Sequence, residues 1–96
     1  MQVYRIMNKT TGLYSKGGCN ADLPYNTGSW SKKGKVWTGM GPLKLHLKMY
    51  VTDNNYSKSY NNRIPHDWVV MEYNNGDWTP TMTARSLYPE TKYLLP

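Results

Sequence analysis

Val3-Tyr4-Arg5-Ile6-Met7-Asn8-Lys9-Thr10-Thr11-Gly12-Leu13-Tyr14-Ser15 decides the fold. Val3–Met7 reads as a strand with Tyr4 and Ile6 on one face and Val3, Arg5 and Met7 on the other, because successive side chains of a strand alternate. Asn8-Lys9-Thr10-Thr11-Gly12 is a turn, with Gly12 suited to the left-handed position of a bulged hairpin loop. Leu13-Tyr14-Ser15 returns as the second strand, and Lys16-Gly17-Gly18 leaves it as a flexible cationic exit.

Downstream of this hairpin, Cys19–Ser29 carries Asn, Asp, Pro and Gly with no hydrophobic period, which predicts a surface loop. Trp30-Ser31-Lys32-Lys33-Gly34-Lys35-Val36-Trp37 predicts a second tight hairpin with Lys33-Gly34 at its apex. Gly39-Met40-Gly41-Pro42 announces a helix, since proline suits a first helical turn. From Leu43 to about Val51, Leu43, Leu47 and Tyr50 recur at helical spacing and are expected in the core, with Lys44 and Lys48 on another face. Thr52–Pro65 is polar and without apolar rhythm, which predicts a long loop or lid.

His66–Tyr73, dense in β-branched and aromatic residues, is the expected central strand, and Asn74–Asp77 its closing turn. The segment from Trp78 to Pro96 is expected to wrap across the domain or onto a neighbouring copy. These elements describe an α+β fold: a small antiparallel β-sheet with one short α-helix packed on it. Residues 1–96 are expected to form a single domain, with a core over 1–78 and an extended C-terminal segment over 79–96 that can dock on a neighbouring subunit.

Composition narrows the function. The 96 residues suffice for one modest core. Phe is absent while Tyr and Trp number nine and four, so amphipathic aromatics must build much of that core. So thin a core favours a homo-oligomer. No apolar run is long enough for a membrane helix, and Met1-Gln2-Val3-Tyr4 begins no signal peptide. Cys19 is alone, which excludes an intrachain disulfide and fits a reducing cytoplasm. Two histidines, one cysteine and scattered carboxylates leave no metal-ligand pattern, and no cofactor is expected.

The net charge of +6 is polarised: residues 1–48 hold eight Lys/Arg against Asp22, and residues 49–96 hold four against five acidic residues. A positive field of this kind speeds encounter with anions. Within Trp30–Trp37, lysine supplies charge, glycine lets backbone N–H groups approach, and indole offers a face for stacking. Lys32, Lys33, Gly34 and Lys35 are therefore candidates for a phosphate clamp, with Trp30 stacking and Lys16, Arg5, Lys44 and Lys48 contributing charge. The plainer alternative is a solvated hairpin tip whose lysines blunt an edge. It is not a Walker loop: five residues, not four, separate Gly28 from Gly34, and Val36 follows Lys35.

Trp37 and Trp68 read as core residues, and His46, between Leu43 and Leu47, as a packed one. His66 and Asp67 are adjacent and point to opposite faces of a strand, so they make no simple dyad. No catalytic residue is assigned, and the chain is expected not to be an enzyme.

Three segments together, Tyr4-Arg5-Ile6-x-Asn8-Lys9-x-Thr11-Gly12-Leu13-Tyr14-Ser15-x-Gly17-Gly18, Trp30–Trp37 and Leu43-x-x-His46-Leu47, resemble a group of small uncharacterised accessory proteins of tailed bacteriophages. The order hairpin, lysine-rich segment, short helix and a strand ending Val70-Met71-Glu72-Tyr73 is similar. The likeness covers the first half and the strand around Trp68 and fades beyond Asn74; Asn20–Gly28 and Trp78–Pro96 have no counterpart. It implies a phage protein acting in the host cytoplasm and names no activity.

Three functions fit these readings. The first is counter-defence by sequestration of a phosphate-bearing ligand, above all an immune signalling nucleotide, in a pocket that can lie between subunits. The second is nucleic-acid binding through the basic face. The third is direct inhibition of a host defence protein. Arginine is scarce, at three residues, which disfavours readout of duplex base edges.

Overall fold

The alternation along the first strand divides the molecule into a packed side and an open side. The structure is a computed structural model that describes residues 2–54 and 56–88. Its strands are β1 (Tyr4–Asn8), β2 (Tyr14–Ser15), β3 (Trp30–Ser31), β4 (Val51–Asn54), β5 (Ser59–Asn62), β6 (Trp68–Asn74) and β7 (Asp77–Thr83). The helix α1 covers Met40–Leu47. Five strands form one antiparallel sheet in the order β3-β2-β1-β6-β7, and β4 and β5 form a separate hairpin. This is the small α+β fold that the sequence predicts.

β1 pairs with β6 through Tyr4↔Glu72, Arg5↔Met71, Ile6↔Val70, Met7↔Val69 and Asn8↔Trp68. Tyr4, Ile6, Trp68 and Val70 thus share one face, and all four are buried in the core with Leu43, Leu47 and Tyr50 of the helical segment. Arg5, Met7, Val69, Met71 and Tyr73 share the other. Trp68 is the centre of the packed side. The rings of Trp30 and Tyr50 each meet it edge-on at 5.1 Å between centroids. The Tyr50 hydroxyl accepts from the Ala21 amide at 3.1 Å and lies 3.3 Å from the Gly18 carbonyl. That satisfies the buried phenol and fixes the 18–21 loop against the helical layer.

Several elements differ from the sequence expectation for definable reasons. Trp30–Trp37 does not close on itself as a hairpin. Its start pairs with β2, the Lys35 amide donates to the Ser15 carbonyl at 2.7 Å, and Trp37 pairs with Tyr4 through two backbone bonds of 2.8 Å. β2 is only two residues long, and Trp37 occupies the place beside Tyr4 that a longer β2 would fill. The helix starts at Met40, which puts Pro42 in the first turn as the sequence predicts, where a missing N–H costs nothing. It ends earlier than expected: Lys48–Tyr50 tightens into a 3-10 turn and Val51 opens β4, with Leu43, Leu47 and Tyr50 buried as their spacing requires.

Thr52–Pro65 is mostly strand and turn, not a lid. β4 and β5 pair from Val51↔Asn62 to Asn54↔Ser59, and the Asn54 side chain accepts the amides of Tyr56 and Ser57 to close the turn. Residues 78–88 are likewise part of the domain. β7 is the outer strand of the main sheet, and Ala84, in the 3-10 turn Ala84–Leu87, is buried. Buried Asn62 donates to the carbonyls of Arg85 and Tyr88, and the Arg85 guanidinium donates to the carbonyls of Asn62 and Ile64. The expected docking of Tyr88–Pro96 on a neighbouring copy lies, beyond Tyr88, outside the described residues.

Gly34 has φ +65°, and a Cβ built there would stand 2.4 Å from the Tyr14 Cβ and 2.8 Å from the Ser15 carbonyl oxygen. Gly12 has φ +76° with nothing within 4 Å. The two positions therefore separate backbone strain from collision. Gly12→Ala is expected to cost about 1–2 kcal/mol through its left-handed backbone alone. Gly34→Ala adds about 1–3 kcal/mol of overpacking. Thermal melts should then place Gly34→Ala several degrees below Gly12→Ala; equal melting temperatures would refute the close approach.

Candidate functional site

The expected site residues do not converge. Gly34 packs on Tyr14, as its built Cβ reveals, so the lysine turn stands beside β2. Two of its backbone donors are already engaged: the Gly34 amide donates to Ser31 Oγ at 2.8 Å and the Lys35 amide to Ser15. A phosphate here would meet lysine side chains without those two N–H groups. Lys32 and Lys33 are exposed. Lys35 lays its stem over Gly17 and brings Nζ to 5.3 Å from the Trp37 ring centroid. Lys16 is exposed beyond β2. Lys44 and Lys48 are exposed on the helical segment, which packs on the core side of the sheet, and Lys44 Nζ lies 5.6 Å above the Tyr88 ring.

Trp30 is half-buried and does not stand out as a stacking platform. Its edge meets Trp68, and its Nε1 donates to the Ala21 carbonyl at 3.1 Å. It also borders a cavity of about 220 Å³ lined by Asp22, Asp67, Asn8 and Asn26, whose two carboxylates are ill suited to phosphate. Trp37 and Trp68 are core residues, as their sequence neighbours suggest.

Arg5 holds the most informative position. On the face opposite Tyr4 and Ile6, its guanidinium carbon lies 4.8 Å from the Tyr14 ring centroid and 4.3 Å from that of Trp78. Trp78 in turn meets Tyr73 edge-on at 5.3 Å. A row of Tyr14, Arg5, Trp78 and Tyr73 thus runs from β2 to β7. Met71, the register partner of Arg5 on the same face as this row, is 6% exposed although it stands outside the core cluster. Among the described residues the buried Arg5 Nε has no hydrogen-bond partner and the side chain no ion pair. Cation–π attraction to the two rings holds it. Neither Tyr14 nor Trp78 was singled out in the sequence. Alternation along β1 signalled the side Arg5 takes; that Trp78 would sit two strands away depended on β7.

Beyond the row, the same face carries a groove of about 370 Å³ lined by Met7, Lys9, Val69, Pro80, Thr81 and Thr83, with Met82. A bulge between Val70 and Met71 leaves Thr81 as the extra residue of β7, and its hydroxyl donates to the Val70 carbonyl at 3.1 Å. By register, the strand residues on this face are Arg5, Met7, Tyr14, Ser31, Val69, Met71, Tyr73, Trp78, Pro80 and Thr83. None is acidic. The described residues contain no group of three or more His, Cys, Asp or Glu that could hold a metal. Among them no helix is long and apolar enough to cross a membrane. No family model, curated protein or solved structure matches the chain.

On the packed side, the His46 ring lies 5.1 Å from that of Trp37 and 6.1 Å from that of Tyr50 between centroids, and its buried Nε2 has no partner among the described residues. Burial, and then the nearby Lys35 charge, hold its pKa below the ordinary 6.5. A depressed histidine stabilises the fold above the unfolded pKa. As pH falls below about 6.5 the unfolded chain takes up a proton that the folded chain refuses, and stability declines until folded His46 itself titrates. Melting temperatures at pH 7.5 and 5.5 should therefore fall more for the natural chain than for His46→Gln. Equal declines would show that His46 carries none of the acid sensitivity.

Proposed function

We propose that the protein is a non-enzymatic binding protein for ligands that combine a nucleobase with phosphate, held on the open face of its sheet. The observation that carries this reading is Arg5, sandwiched between Tyr14 and Trp78 with no carboxylate partner among the described residues. Aromatic faces accept stacked bases whatever their identity, and cations beside them attract the phosphates. The lysine turn adds charge at the Tyr14 end, and Lys9 adds it at the groove. In the host cytoplasm that the phage resemblance implies, two ligands combine base and phosphate in this way: an immune signalling nucleotide, whose sequestration is counter-defence, and a nucleic-acid strand.

Binding is tested by fluorescence anisotropy with labelled nucleotides and short oligonucleotides over a salt series, beside mass spectrometry of nucleotides released on denaturing protein that has been incubated with an infected-cell extract. Affinity should fall steeply with salt. Changing Lys32 and Lys33 together to Gln should weaken binding roughly five- to fiftyfold, since each exposed contact contributes about 1 kcal/mol or less, and more where the ligand encloses it; Lys35, whose Nζ lies over Trp37 on the packed side, should matter less. Arg5→Lys keeps the charge but loses the planar stack, and should weaken binding at least about tenfold. Binding insensitive to both changes would remove this face from the site. Absence of binding by every probe would overturn the function.

A further inference from the structure

Resting on that reading, we infer that the ligand is a single strand of nucleic acid laid across the open face, and not a compact nucleotide. The aromatic and cationic row crosses from β2 to β7, three strand spacings or about 14 Å. The 370 Å³ groove continues the same surface along β1, β6 and β7, past Met7 and Val69, to Lys9 and Thr83. Small-molecule sites enclose most of their ligand. Here the row lies on a sheet face, and Tyr73, at its end, is 43% exposed. Such a surface gains affinity by adding contacts in series, one base after another, which is how sequence-tolerant single-strand binders work.

Charge selects the same occupant. The face carries Arg5, with Lys9 at its rim, and none of its strand residues is a carboxylate. Apolar floor residues Met7 and Val69 lie between the two cations, so bases would rest on the floor while phosphates pass the rims. A duplex fits poorly. The five strands are about 19 Å across, against a major groove of about 12 Å that admits a helix or a two-stranded ribbon.

The test uses the full chain and fluorescein-labelled thymidylate oligonucleotides of two, six and twelve residues, a duplex of the same length as the longest, and a labelled mononucleotide. Affinity should rise at least tenfold from the dinucleotide to the dodecamer and be at least tenfold weaker for the duplex. Lys9→Glu combined with Thr83→Glu changes two exposed residues of the groove. It should weaken the dodecamer at least tenfold and leave the dinucleotide within about twofold. Tyr73→Ala, at the exposed end of the row, should weaken the dodecamer about five- to hundredfold, and serves as the second variant should the double change disturb folding. A mononucleotide or duplex bound as tightly as the dodecamer, with both weakened by Arg5→Lys, would overturn the single strand while leaving the base-and-phosphate reading intact. Failure of every probe would overturn both.

Discussion

The period-two alternation of β1 is the constraint on which the rest depends. Tyr4 and Ile6 must enter the core, and that places Arg5 and Met7 on the opposite side. Pairing with β6 extends the division, with Trp68 and Val70 inward and Val69, Met71 and Tyr73 outward. A one-residue slip would bury the Arg5 guanidinium among Trp37, Leu43 and Leu47 and turn Ile6 to solvent. The packed side is built by aromatics because the chain has few aliphatics, and each buried polar tip needs a partner: Trp30 finds the Ala21 carbonyl and Tyr50 the Ala21 amide.

The open side uses the same residue types differently. Tyr14 and Trp78 do not enter the core; they hold a cation between them, opposite buried Met71 in register. The lysine turn, the densest charge in the sequence, serves first as structure. Gly34 lets it lie against Tyr14, and its amides complete the turn and the contact with Ser15. The heads of Lys32 and Lys33 remain exposed, but the planar charge on the face, without an ion pair among the described residues, belongs to Arg5.

Much of the fold was legible because it rests on short-range pattern. The β1–β2 hairpin, the burial of Leu43, Leu47 and Tyr50, and β6 as a central strand follow from alternation, turn chemistry and helical spacing. What escaped reading has physical causes. Apart from Val51 and Tyr60, β4 and β5 carry only polar residues, so no apolar rhythm marks them. β7 contains Pro80, which an outer strand tolerates at a bulge and a central strand does not. Trp37 pairs with Tyr4 across thirty-three positions, a contact no local pattern encodes. The site was half legible for the same reason: Arg5 could be placed on a face, but its partner Trp78 could not.

The chain's four tryptophans provide a direct test, because their indole N–H signals are separate reporters on the two sides of the sheet. A proton–nitrogen NMR titration with a short thymidylate oligonucleotide should move the Trp78 indole and the Arg5 Nε–H signal. The indoles of Trp37 and Trp68, buried on the packed side, and of Trp30, bonded to Ala21, should stay in place. Movement confined to Trp30 or Trp37, with Trp78 and Arg5 unchanged, would contradict the assignment of the open face as the binding surface.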